Sequence, residues 1–226
     1  MVAPSSSKGP LKVAVLISGG GSNLQALIDN FGPLFPNSPV RIVKVISNRP
    51  DAGGIERAKK VGIPSVVIDH KAFPDRVAFD AQLDRAIHES GAELVVLAGF
   101  MRLLTEGFVN TWRNRLINIH PALLPSFRGL DTHKRALKRG VKLHGATVHF
   151  VRQETDTGPI IAQAAVPVLA DDTPETLATR VLKAEHKLYP LALRLIAEGK
   201  VKLDGERAMV DGKPDPLAFF SPALAS

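Results

Sequence analysis

The chain contains no cysteine, which excludes a disulfide framework, a thiolate metal site and a thiol nucleophile. It also lacks any run near the roughly 18 apolar residues that a membrane helix needs. Met1 to Pro10 has no apolar h-region, and the stretch that follows, Val13 to Ile17, is too short to be one, so no secretory signal is expected. No membrane partner is expected, and the cytoplasm is the default compartment. None of His70, His88, His120, His133, His144, His149 and His186 forms a His-Glu-x-x-His pair, and no Gly-x-Ser-x-Gly elbow is present. Zincin-type metal chemistry and a serine nucleophile are therefore unsupported, and no metal site is assigned. His144 and His149 are five apart on an expected strand, so they face opposite sides unless a bulge intervenes.

The formal net charge is +7. A basic surface draws phosphates and polyanionic cofactors, but a solvated surface leaning toward Lys and Arg has the same balance. The positive residues are scattered, without a dense block interleaved with aromatics, so nucleic acid is not an expected partner. What is present is a globular composition: 45% hydrophobic and 23% charged residues rule out disorder of the whole chain. At 226 residues it can bury a core without staples.

Along the chain, Lys12 to Ser18 is a nearly continuous apolar run, as in a strand buried on both faces of a parallel sheet. A glycine loop follows, then a helix through Leu24, Leu27 and Ile28 that Ser22 is expected to cap. Strands are expected at Arg41–Ser47, Ser65–Ile68, Leu94–Ala98 and Leu116–His120, with helices at 54–61 and 75–90. This alternation predicts an α/β, Rossmann-like, mostly parallel doubly wound sheet. The second half adds a helix over 132–139 and strands at His144–Val151 and Ile160–Val168. A long C-terminal helix then opens at Thr173-Pro174, with the seam Leu177, Val181, Ala184, Leu188, Leu191, Leu195. Pro190 is expected to kink it. Asp204-Gly205 and Asp211-Gly212 suggest a terminal hairpin. Residues 1–10 are expected to be a flexible N-terminal extension, 11–213 one domain, and 214–226 a loose tail.

Gly19-Gly20-Gly21-Ser22-Asn23 lies between the first strand and first helix, where glycines let backbone approach an anion and helix N–H groups face it. The Walker lysine is missing. So is the third glycine of the dinucleotide fingerprint, since Leu24 stands there, and Ser47-Asn48-Arg49 replaces its ribose-binding acid. The loop suits a monophosphate; a tight turn without a ligand would also use these residues. Asn118 and His120 are two apart on a strand and share a face at its carboxyl end, where open sheets bind ligands. Pro121 holds His120 extended. Glu154 to Pro159 places carboxylates on a turn, and a carboxylate beside a histidine would raise its pKa and fix its tautomer. The sequence itself does not bring Asp156 to His120, and a structural histidine before proline remains an alternative reading.

Five segments together resemble one family. Ser18-Gly19-Gly20-Gly21-Ser22-Asn23-Leu24-Gln25 is similar to the phosphate loop of phosphoribosylglycinamide formyltransferases, and Leu97 to Arg102 to their folate segment. Asn118 to Pro125, His144 to Phe150 and Asp156 to Ile160 also match, in order. The resemblance implies that the backbone of Gly21, Ser22 and Asn23 holds the substrate phosphate and that Glu185 contacts the glycinamide end. It implies a pterin pocket lined by Met101, Arg102, Leu103 and Leu104, with Asn118 also touching the folate. Arg76 would meet the folate's glutamate tail, and His120, Asn118 and Asp156 would be catalytic. The co-substrate would be 10-formyltetrahydrofolate and the partners small molecules; a homodimer is left open. Ala122 departs from the family's usual serine. A methionyl-tRNA formyltransferase would carry a further C-terminal domain and a formyltetrahydrofolate hydrolase a further N-terminal one, and neither is expected here. A non-catalytic binding module and, more distantly, a basic RNA-binding protein are the readings from other classes.

Overall fold

The computed structural model describes residues 9–211. Residues 1–8 of the expected extension, the 214–226 tail and Gly212 of the second Asp-Gly pair lie outside the described residues. The elements run β1 (Leu11–Ile17), α1 (Ser22–Phe31), β2 (Val40–Ser47), α2 (Gly54–Lys60), β3 (Ser65–Val67), α3 (Arg76–Glu89) and β4 (Leu94–Leu97). They continue with α4 (Glu106–Thr111), β5 (Leu116–His120), α5 (Thr132–Arg139), β6 (Leu143–Phe150), β7 (Ile160–Pro167), α6 (Pro174–Ala197), β8 (Val201–Asp204) and β9 (Arg207–Val210).

Seven strands form one sheet in the order β3-β2-β1-β4-β5-β6-β7. The pairs from β3 to β5 are parallel, and β6 and β7 join antiparallel. Strand alternation divides the apolar residues between two layers. Val13, Val15 and Ile17 of β1 enter a core shared with α1, α2 and α6, whereas Ala14 and Leu16 enter a second core under α3 and α4. Burial on both faces explains why β1, past exposed Lys12, reads as a continuous apolar run rather than an alternating one.

The helix starts follow from capping chemistry. Asp75 accepts from the Ala78 amide at 2.8 Å to open α3. Thr173 and Thr176 form a reciprocal capping box at α6, with Pro174 in its first turn, where a missing N–H costs nothing. The Ser22 cap is not realised: Gly21 holds the cap position in a left-handed conformation and Ser22 is the first helical residue. Helix α4 has no counterpart in the sequence reading. At six residues it is too short to show a period, yet it buries Phe108 and Val109 beside Trp112 in the second core. The α6 seam also differs after Leu188. Leu191 is half exposed, and burial continues through Ala192, Leu193 and Ile196, because four residues at 3.6 per turn return closer to the seam than three. β8 and β9 form the expected hairpin around Gly205 and Glu206.

Candidate active site

Strands β1 and β4 are neighbours, and the chain leaves them in opposite directions, toward β2–β3 and toward β5. Their carboxyl ends therefore open a crevice at the switch point of the sheet. The glycine loop follows β1, the Gly99–Leu104 segment follows β4, and Asn118 and His120 close β5 beside it. Ser18 ties the first two together: its amide donates to Gly99 O at 3.1 Å and its hydroxyl accepts from the Met101 amide at 2.7 Å. The same hydroxyl donates to Asn48 Oδ1 at 2.6 Å.

Within the glycine loop the three glycines differ. Gly21 has φ 71°, and a Cβ on it would lie 2.7 Å from the Gly54 Cα, so packing and conformation both demand glycine. Gly19 and Gly20 are exposed, and a Cβ on either would meet no protein atom within 4 Å. Tight packing accounts for Gly21 but leaves the other two open to a guest approaching the helix N-terminus. Asn23 is buried and donates to Glu185 Oε2 of α6 at 2.8 Å. Its own Oδ1 is buried without a partner. Burial pushes the Glu185 carboxyl up from its ordinary value, against the opposing hydrogen bond from Asn23. Arg57 braces the loop by donating to Gly20 O at 2.7 Å.

His120 is almost fully buried, with Nδ1 3.3 Å from Asp156 Oδ2 and Nε2 3.0 Å from the Phe127 carbonyl. Both partners are acceptors, an arrangement that the two N–H bonds of an imidazolium satisfy. Asp156 has φ 52° and also accepts from the Gly129 amide at 2.7 Å. Its turn closes at Gly158, where a Cβ would strike the Phe150 carbonyl at 2.2 Å, so the Asp-x-Gly spacing has a steric cause. Asn118 is half-buried, with Nδ2 3.4 Å from His149 Nε2. The structure thus gathers Asn118, His120 and Asp156 at one strand end.

The segment after β4 alternates. Met101 and Leu103 are exposed, whereas Leu104 packs toward the second core. The Arg102 guanidinium lies 5.0 Å from the Phe79 ring centroid, a cation–π contact. Asp80, buried one residue further along α3, accepts from the Thr105 amide at 2.7 Å. These contacts pack the first turns of α3 on the 101–105 segment, and Arg76, the first residue of that helix, is exposed.

Several residues that shape the site carried no role in the sequence reading. Thr147 donates to Ala122 O at 2.7 Å and accepts from the Leu124 amide at 3.0 Å, fixing the chain just after His120. Ala122 itself is fully buried. A bulge does occur between Val148 and His149, but the two histidines of β6 have separate surroundings. His144 packs against the Phe127 and His133 rings, and His149 faces Asn118. A buried histidine in an apolar strand was the only local signal for either.

The chain matches the formyl transferase family model over residues 11–193. It is 45% identical to the phosphoribosylglycinamide formyltransferase of Escherichia coli, over 91% of this chain and 96% of that protein. It is 51% identical to the trifunctional purine biosynthetic protein adenosine-3 of Bos taurus over 88% of this chain, and spans only 19% of that protein's length. Among solved structures, glycinamide ribonucleotide transformylase 1 of Symbiobacterium toebii superposes with a TM-score of 0.86 at 46% identity, covering 91% of this chain and 99% of that one. A glycine loop, a post-β4 segment and an Asn–His–Asp cluster around one crevice accompany these matches, and the chain belongs to the formyl transferase family, on its phosphoribosylglycinamide formyltransferase branch.

Proposed function

We propose that this chain transfers the formyl group from 10-formyltetrahydrofolate to the amine of 5-phosphoribosylglycinamide, giving the N-formyl product and tetrahydrofolate, as a step in de novo purine biosynthesis. The observation that carries the reading is the contact of His120 Nδ1 with Asp156 Oδ2 at 3.3 Å, with Asn118 on the same strand face. The glycine loop opens into the same crevice. The printed activity of the Escherichia coli relative supports it.

In this reading the phosphate rests on the backbone of Gly21, Ser22 and Asn23, and Glu185 faces the glycinamide end. Met101 to Leu104 border the pterin, Asn118 also touches the folate, and Arg76 reaches the glutamate tail. The neutral amine attacks the formyl carbon on N10 and a tetrahedral oxyanion forms. The Asn118 amide and the protonated His120 ring donate to that oxygen, each contributing about 3 kcal/mol to transition-state stabilisation. The ring's contribution comes through Nε2, so the formyl oxygen takes the position that the Phe127 carbonyl holds here. Asp156 stabilises the ring from the other side and relays a proton through water from the amine to the leaving N10. Holding two substrates in line supplies much of the remaining acceleration. The scheme needs neither a metal nor a covalent enzyme intermediate. We also propose a cytoplasmic location, which cell fractionation tests, and the scheme functions equally in a monomer or a homodimer.

The deciding experiment is a product assay with 10-formyltetrahydrofolate, with and without the glycinamide ribonucleotide. Formylated product that appears only with both substrates supports the reading. Formate release without the amine would instead identify a hydrolase, and calorimetric binding with no turnover would identify a binding module.

A further inference from the structure

We infer that His149 is a positioning residue for formyl transfer: it sets which way the Asn118 amide faces and anchors the loop that carries Asp156. The inference rests on the function proposed above. Asn118 and His149 are direct partners across the β5–β6 ladder, so their side chains emerge on one face. His149 is 1% exposed and no solvent competes for its nitrogens. Its Nδ1 lies 3.0 Å from Phe150 O and 3.1 Å from Thr157 O. Carbonyl oxygens only accept, so Nδ1 carries the proton.

Burial, above all other influences, pushes the His149 pKa below its ordinary value and keeps the ring neutral. The carbonyls of Phe150 and Thr157 and the charge of Asp156 oppose that shift, and His120 adds to it. A neutral ring protonated at Nδ1 leaves a lone pair on Nε2. That lone pair faces Asn118 Nδ2 at 3.4 Å.

The two ends of a carboxamide are nearly equal in shape, so something must choose between them. A donor turned toward Nε2 is attractive, whereas an inverted amide would oppose oxygen to a lone pair. With one N–H on His149, the second N–H of the same nitrogen stays available for a developing oxyanion, and an inverted amide would repel that charge. The other edge of the imidazole holds Thr157 O, one residue beyond Asp156. One ring therefore spans both groups, and its tautomer is fixed by the contact that restrains the acidic loop.

Two substitutions separate the edges. His149→Asn keeps a donor near the Nδ1 position but loses the acceptor toward Asn118. His149→Gln restores an acceptor near Nε2. Steady-state assays of formyl transfer are expected to show kcat roughly 10- to 100-fold lower for His149→Asn with little change in KM, short of the about 10²–10³ lost when an oxyanion donor itself is removed. His149→Gln, which regains the acceptor toward Asn118 but gives up the Nδ1 donor to Thr157 O, is expected to recover part of that rate. In an Asn118→Ala background, His149→Asn should cost nothing further, because the amide it orients is gone. Multiplying losses in that background, or a Gln variant slower than the Asn variant, would overturn the inference while wild-type turnover upheld the function. A wild type without turnover would defeat both. Independent of folding in the variants, long-range proton–nitrogen NMR of the wild type near neutral pH should show His149 protonated at Nδ1 alone. A proton on Nε2 would overturn the inference directly.

Discussion

Acid should destabilise this protein through His144, and the size of the effect follows from its surroundings. The ring is 1% exposed and neither nitrogen has a well-formed hydrogen bond. Burial first, then the neighbouring His133, pushes its pKa from 6.5 to about 4. Folding thus weakens its hold on a proton. The native state has its full advantage above about pH 6.5, where the ring is neutral folded or unfolded, and loses it progressively as pH falls toward 4. At about 1.4 kcal/mol per pH unit, the loss across that window approaches 3 kcal/mol. Against a typical stability of about 5–15 kcal/mol that is a large share, and it lowers Tm by roughly 6–12 °C in a chain of this size. Urea denaturation at pH 7.5 and pH 4.5, on wild type and His144→Phe, measures it. The Phe variant keeps a ring against Phe127 and removes the titration, so its stability should fall less between the two conditions, whatever its absolute value. Equal falls in both proteins would refute the assignment, because His133, His149 and Glu185 titrate in both.

Three further outcomes are expected. Asp156→Asn keeps an acceptor for the Gly129 amide, so circular dichroism should match wild type while formyl transfer drops about 10²–10⁴-fold; near-normal turnover would remove Asp156 from the mechanism. Gly21→Ala forces a Cβ at φ 71° to within 2.7 Å of the Gly54 Cα, and should cost at least roughly 1–2 kcal/mol and raise KM for the ribonucleotide; unchanged melting and KM would show that the loop neither needs glycine nor meets the phosphate. Arg76→Ala should raise KM for the folate several-fold without touching kcat, as loss of one exposed ion pair of about 1 kcal/mol does. An equal KM for folates with and without a glutamate tail, in wild type and variant alike, would place the tail elsewhere.

The fold was legible where burial is two-sided or a cap has a side-chain signature. β4, and β1 past exposed Lys12, are apolar without interruption because both faces are covered. Asp75 and Thr173-Pro174 announce α3 and α6 through chemistry confined to one turn. Ser22 misled because a serine before a helix resembles a cap, whereas a left-handed glycine one residue earlier occupies the position. The end of the sheet that carries the site was legible too, since open α/β sheets bind ligands at strand carboxyl ends, whereas the switch point between β1 and β4 needed the strand order. What the residues alone did not reveal were pairings across the sheet and between loops. The β5–β6 register puts His149 opposite Asn118, and no periodicity encodes that. Asp156 reaches His120 only because the β6–β7 turn folds back over the end of β5, which local pattern leaves open and family resemblance supplied.

The strain around His120 ties its surroundings together. Among the described residues four non-glycines have φ in the left-handed region, Asn114, Phe127, Asp131 and Asp156, and three of them lie on the two loops that cover His120. Such conformations cost on the order of 1–3 kcal/mol each and persist only where neighbours hold them. Here the holders are the site's own groups. The Phe127 ring is set between His144 and the Arg135 guanidinium, and Arg135 donates to the Arg128 and Leu130 carbonyls. Asp156 is held by His120 and the Gly129 amide. The carbonyl on His120 Nε2 belongs to Phe127, so the backbone that must yield to the formyl oxygen is also the strained one. Protonating His144 loads charge beneath Phe127, next to His133 and His120. The stability lost in acid and the reach of His120 toward substrate therefore depend on the same few contacts, and a pH–rate profile of formyl transfer should show the His144→Phe variant active to lower pH than wild type.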